Sequence, residues 1–205
     1  MVFGLLTCLI STRLTFACDS GWQYVGQSSW DVVSAIHDPT NSQVAYIGTY
    51  WDWQIPESGG VYRQTGMDTT WEYAGLVHHR IYELRSFPYC RPETIFGATN
   101  SGLYRFVADT NWALMYATGT AGMDVGISPV DTSIWAVIVT GPVSGAVLLS
   151  DNSGQSWSPF YWAPNNEARL LFSRYSSDVI FFSLGSILGR ASLADSSVQY
   201  VESFG

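Results

Sequence analysis

The chain has 205 residues, 47% of them hydrophobic and 15% aromatic, the composition of a folded globular protein rather than a disordered one. Its 17 acidic residues against 9 basic ones leave a formal net charge of −8, and every basic residue is arginine. That balance excludes a surface built to neutralise phosphates, so no nucleic-acid partner is expected, and an anionic membrane would repel the chain at long range.

Residues 1–18 are apolar, end in small residues and precede the polar stretch Asp19-Ser20-Gly21. They read as a signal peptide, interrupted by Arg13, with residues 19–205 as the mature protein. The ending Thr15-Phe16-Ala17-Cys18 resembles a bacterial lipoprotein cleavage box, which makes Cys18 the expected position of a lipid anchor. Both features place the mature chain outside the cytoplasm, secreted or anchored. Loss of the leader removes Cys8 and leaves Cys18 and Cys90, enough for at most one disulfide and, if Cys18 is lipidated, for none. Cys90 sits in Pro88-Tyr89-Cys90-Arg91-Pro92 with no histidine-paired motif around it and reads as a turn residue. Neither cysteine nor histidine shows metal-ligand spacing, so no metal or other cofactor is expected.

Self-similarity organises the rest. Trp22, Trp71 and Trp112 are each followed seventeen residues later by a proline, namely Pro39, Pro88 and Pro129, and Trp157 is followed at that distance by Arg174. Between these anchors lies a β-branched or aromatic run, beginning at Val44, Thr94, Ile134 and Val179. A glycine-led run follows, around Gly60, Gly102, Gly145 and, more worn, Ile187. Each unit then closes on the next tryptophan, or on Val198 in the last copy, after 41 to 49 residues. The runs are short, separated by Gly, Asn, Asp, Ser and Pro turns, and carry no helical period. Each unit therefore predicts four strands, a to d. Strand a begins near Ser34 in the first unit, strand b at Val44, strand c at Gly60 and strand d at Trp71. The prolines fall just after strand a, where a missing N–H costs no ladder bond. A four-stranded sheet cannot bury both apolar faces alone, and radial stacking of sheets does so.

The segment Ser150-Asp151-Asn152-Ser153-Gly154-Gln155-Ser156-Trp157 resembles an Asp-box, the turn between the third and fourth strands of a propeller blade, with Asn152 in place of its usual aspartate. Thr65 to Trp71 and Asp109 to Trp112 are worn copies. The resemblance covers residues 20–204 and implies an all-β fold, a β-propeller of about four four-stranded blades. It implies structural roles for Ser150, Asn152, Gly154 and Trp157: the polar side chains cap the turn and the tryptophan fills the space between blades. The family includes sialidases, sortilin-type receptors, xyloglucan-hydrolysing enzymes and photosystem II assembly factors, so the resemblance leaves function open.

Trp22 to Gly26 matches Trp71 to Gly75, giving five d strands for four sets of a, b and c. A closed ring could use the opening strand to complete its last blade and leave the C-terminal one spare. The expectation favoured here is an incomplete ring, or one assembled from more than one chain, including a homo-oligomer.

In a propeller the d-to-a and b-to-c connections share one end, here called the top. The first unit has the longest b-to-c connection, twenty-one residues from Pro39 to Gly60 against fourteen and sixteen in the next two. Its excess, Tyr50-Trp51-Asp52-Trp53 and on to Glu57, is aromatic and acidic, a composition suited to stacking on a sugar ring or an apolar partner, although the tryptophans could equally fold back as a cover over the blade edge. The d-to-a connections add Trp30, His79 and Arg80, and Asp124 and Arg169 as well. The preferred reading is a non-catalytic extracytoplasmic propeller binding a protein or carbohydrate ligand through these residues. One alternative is a glycoside hydrolase or sialidase-like enzyme, or a fragment of one, with Asp52 facing Glu57, Asp124 or Glu167. The other is an assembly scaffold that grips its partner through Arg80 and Arg85.

Overall fold

The computed structural model describes residues 31–52, 54, 58–66, 70–90, 94–117, 121–141, 145–163, 168–184 and 187–200. Sixteen strands form four antiparallel four-stranded sheets, each built from consecutive strands. Blade 1 holds β1 (Val32–His37), β2 (Val44–Thr49), β3 (Gly60–Thr65) and β4 (Glu72–Gly75). Blade 2 holds β5 (Ile81–Phe87), β6 (Thr94–Thr99), β7 (Gly102–Ala108) and β8 (Asn111–Tyr116). Blade 3 holds β9 (Ala121–Ile127), β10 (Trp135–Thr140), β11 (Gly145–Ser150) and β12 (Ser158–Ala163). Blade 4 holds β13 (Ala168–Phe172), β14 (Val179–Leu184), β15 (Ile187–Ser192) and β16 (Ser197–Tyr200). This is the all-β propeller that the repeat register predicts.

The second strand of each blade shows why the sheets must stack. In β10, Trp135, Val137 and Val139 pack with Phe96 and Leu103 of blade 2, while Ala136 and Ile138 pack with Leu170, Ile180 and Phe182 of blade 4. Successive side chains point to opposite faces, and both faces are covered by a neighbouring sheet, so the strand reads as an unbroken apolar run. A third core of the same kind joins Tyr46, Val61 and Ala74 of blade 1 to Ile81, Leu84 and Ile95 of blade 2.

The first strands lie innermost, β1 packed on β5, β5 on β9 and β9 on β13, with no comparable packing of β13 back on β1 among the described residues. The last blade is completed by its own C-terminal strand, since β16 pairs with β15. The alternative in which the opening strand serves that blade is therefore not what forms. Trp22 to Gly26 lie outside the described residues.

Charged side chains brace these inner strands. Asp124 of β9 is fully buried, 0% exposed, which corrects its expected place in a top connection. Its Oδ1 accepts Arg85 Nε at 3.0 Å and its own neighbour Val125 N at 2.8 Å. Its Oδ2 accepts Arg85 Nη2 at 2.9 Å and Leu170 N at 2.8 Å. One carboxylate thus ties blades 2, 3 and 4. Burial works against the charge on Arg85, and the hydrogen bonds and charge of Asp124 outweigh it, so the guanidinium is held more firmly protonated than in water. Glu83 of β5 accepts Ser34 Oγ of β1 at 3.1 Å and lies 3.5 Å from Arg169 Nε of β13. Arg169, also expected in a connection, stands within strand β13.

Removing Asp124 strands Arg85 and two backbone N–H groups around a cavity. Asp124→Ala is expected to cost about 3 kcal/mol or more, the usual range for breaking one partner of a buried ion pair. A urea midpoint within error of the parent would contradict this bracing role.

Candidate functional site at the top of blades 1 and 2

The long connection after β2 is folded onto the connection between β4 and β5. Ser58, itself buried, clamps its base: Oγ accepts Asp52 N at 2.8 Å and donates to Asp52 O at 2.8 Å. Asp52 Oδ1 accepts Gln54 N at 2.9 Å, so this carboxylate caps a turn. Gly59 has φ +80° and approaches so closely that a Cβ there would stand 2.6 Å from His79 O and 2.7 Å from Trp51 Cβ. The next amide, Gly60 N, donates to His79 O at 2.9 Å.

The facing connection, residues 76–80, is bent by two non-glycine residues in the left-handed region, Leu76 at φ 57° and His78 at φ 62°. Such residues persist only where their surroundings fix them. Here Tyr73 Oη accepts Val77 N at 2.9 Å, His79 N donates to Leu76 O at 3.1 Å, and Arg80 N and O are both taken by Asn100.

That backbone presents His79 and Arg80 in fixed directions. The Arg80 guanidinium carbon lies 3.8 Å from the centre of the Tyr50 ring and 5.8 Å from that of Tyr82, a cation–π arrangement. Among the described residues Arg80 has no carboxylate partner. His79 Nδ1 is 3.0 Å from Val77 O, which can only accept, so Nδ1 donates there, and Nε2 lies 3.3 Å from Tyr104 Oη. Burial pushes the Tyr104 phenol up from its ordinary value. The two rings meet edge to face at 5.3 Å.

Of the residues expected at this site, Tyr50, Trp51, Asp52, His79 and Arg80 are brought together. Tyr50 is 37% exposed and Trp51 half-buried. Trp30, Trp53 and Glu57 lie outside the described residues, as do Cys18 and the leader. Tyr82, Asn100 and Tyr104 complete the cluster and were not anticipated. Tyr104 occupies the same place in its repeat as Tyr62, and only the radial neighbour gives it a partner.

Two earlier candidates change role. Asp124 accepts four hydrogen bonds in a buried site and is not free to act as an acid or base. Arg85 is ion-paired with it, with a third of its side chain left exposed. Cys90 is a free thiol buried under blade 2, and burial pushes it up to about 11.

The Ser150–Trp157 segment forms a closed turn between β11 and β12. Ser150 Oγ accepts Gly154 N at 2.8 Å and Asn152 N at 3.3 Å, and Asn152 Oδ1 accepts Ser156 N at 2.9 Å. Gly154, at φ +77°, lies where a Cβ would be 2.6 Å from the Trp135 ring. Trp157 packs against Tyr116 and Trp135 between blades 2 and 3, and its buried indole N–H finds no acceptor among the described residues.

No protein-family model matches the chain, and no curated protein does. Among solved structures it is similar to an ancestral GH74 enzyme (TM-score 0.67, 16% identity), covering 88% of this chain and 26% of that one. It is also similar to an extracellular domain from B. thetaiotaomicron (TM-score 0.64, 11% identity), covering 89% of this chain and 24% of the other. An oligogalacturonate lyase from Vibrio parahaemolyticus aligns with TM-score 0.53 and 10% identity over 85% and 55% of the two chains. The chain thus spans about a quarter of the first two relatives, and at these identities the likeness is one of fold.

The turn and the thiol each give a test. Trp112 Nε1 donates to Ala74 O at 2.8 Å, whereas the Trp157 N–H has no acceptor among the described residues. Trp112→Phe is therefore expected to cost about 1 kcal/mol more than Trp157→Phe in urea unfolding, and equal costs would contradict the assignment. For Cys90, a pKa near 11 leaves about one thiolate in a thousand at pH 8. Peptide-level mass spectrometry should show it alkylated at least about a hundredfold more slowly in native protein than in urea.

Proposed function

We propose that this chain is a non-catalytic, extracytoplasmic β-propeller unit of the Asp-box type that binds a carbohydrate ligand at the top of blades 1 and 2. The observation that carries this reading is the Arg80 guanidinium held over the Tyr50 ring at 3.8 Å, with no carboxylate among the described residues to neutralise it, beside the half-buried Trp51. An aromatic ring beside a fixed fork of N–H donors offers a sugar both a stacking face and hydrogen bonds. The Asp52 turn, the Ser58 clamp and the left-handed residues of the facing connection hold these groups before any ligand arrives, which lowers the ordering cost of binding.

Binding is preferred to hydrolysis because a glycosidase needs two carboxylates on one site, while Asp124 is spent on Arg85 and Asp52 caps its own turn. The extracytoplasmic placement rests on the apolar leader read at residues 1–18 and accords with the extracellular domain among the similar structures. Kinship with Asp-box propellers is supported by the Ser150–Trp157 turn, whose serine and asparagine make the capping bonds that the resemblance implies.

A broad glycan array probed with the full chain, with Trp51→Ala and with Arg80→Ala tests the reading. Saturable binding that falls about tenfold in each variant is expected, equivalent to the loss of one charge-assisted or stacking contact. Absence of glycan binding, or binding indifferent to both substitutions, would remove the carbohydrate role and leave a protein ligand as the better account.

A further inference from the structure

The opposite end of the inner strands holds a second concavity that the top-face reading does not use. It is a cavity of about 550 Å³ between the lower ends of β5, β9 and β13 and the turns that follow them, within the size range of small-molecule sites. Phe87, Pro129, Leu171 and Phe172 supply apolar wall. Tyr89 adds a ring set edge-on to Phe87 at 5.9 Å, its hydroxyl already donated to Ile127 O at 2.9 Å.

Charge selects the occupant. The chain is acidic overall, yet the described residues lining this cavity include Arg85 and Arg174 and no carboxylate. Arg85 is neutralised by Asp124. Arg174, in the turn after β13, is exposed and forms no ion pair among the described residues. One unspent guanidinium beside an apolar hollow matches a ligand with one negative charge and an apolar body. Its planar fork fits a carboxylate with two parallel hydrogen bonds, whereas a dianionic phosphate would call for a second free cation. A sugar fits poorly, because the walls hold few groups to satisfy its hydroxyls.

We propose that this lower cavity is a binding site for a small organic monocarboxylate, its carboxylate on Arg174 and its apolar or aromatic body against Phe87, Tyr89, Pro129 and Leu171. The site is separate from the top-face cluster and stands whether or not that cluster binds glycan.

Calorimetric titration of the full chain with 1-naphthoate tests the proposal. Saturable one-to-one binding is expected, weakened about tenfold or more in Arg174→Ala, the scale of one lost charge-assisted contact. It should also be lost in Leu171→Trp, which fills the cavity. Leu171 is 63% exposed and Arg174 lies in a surface turn, so neither change removes core packing, and an unaltered urea midpoint verifies each fold. 1-Naphthalenemethanol, with the same body and no charge, should bind at least about tenfold more weakly than 1-naphthoate. No saturable binding by the parent, equal affinity for the alcohol, or indifference to either variant would overturn the site. Tighter binding of 1-naphthyl phosphate would overturn the carboxylate assignment in favour of a phosphorylated ligand.

Discussion

A single buried carboxylate governs how the blades meet. Asp124 has no water to solvate it, so the charge is tolerable only if every lone pair finds a donor. It finds four: two from Arg85 on the blade before, one from its own strand and one from Leu170 on the blade after. Three of the four come from neighbouring sheets and cannot be supplied within its own. The apolar cores between blades are non-directional and would accept a small slide of one sheet over the next, whereas the Asp124 bonds hold at one relative height. The strand ends are thereby fixed, and with them the top connections and the lower cavity.

The two ends of the inner strands then carry different chemistry for a common reason. At the top, connections of unequal length leave side chains such as Tyr50, His79 and Arg80 beyond the last ladder bonds, where they can stack and donate. At the bottom, short turns carrying Pro88 and Pro129 keep the mouth apolar, and its charge comes from Arg174. The ion array lies between, with Glu83 and Arg169 on its upper side and Arg85 against the lower cavity.

Much of the fold was legible in the sequence because it is written in local terms. The tryptophan and proline register and the β-branched runs at Val44, Thr94, Ile134 and Val179 locate β2, β6, β10 and β14 almost to the residue, since a buried strand needs a continuous apolar run. The Ser150–Trp157 turn was equally visible, its capping bonds spanning at most four residues. The ion array was not legible. Arg85 and Asp124 are 39 residues apart and Leu170 lies 46 beyond Asp124, and only radial stacking brings them together. Asp124 and Arg169 read as connection residues because polar side chains interrupt the apolar pattern there, which is the mark of a turn unless a charge partner is known. At the top face, sequence named the Tyr50 loop and the His79-Arg80 pair but could not show that they touch, nor that Tyr104 joins them.

The Glu83 carboxylate has a consequence for how this molecule comes apart. In a linear stack of repeats each unit senses only its neighbours, so the ends fray independently and unfolding proceeds in steps. Glu83 belongs to blade 2, yet it holds Ser34 of blade 1 and reaches Arg169 of blade 4, although β1 and β13 share no comparable packing among the described residues. The first and last blades are therefore energetically aware of each other through a side chain that belongs to neither. An arc with such a cross-link behaves less like a row of tiles than like an arch with a tie across it, and melting of the last blade is felt in the first.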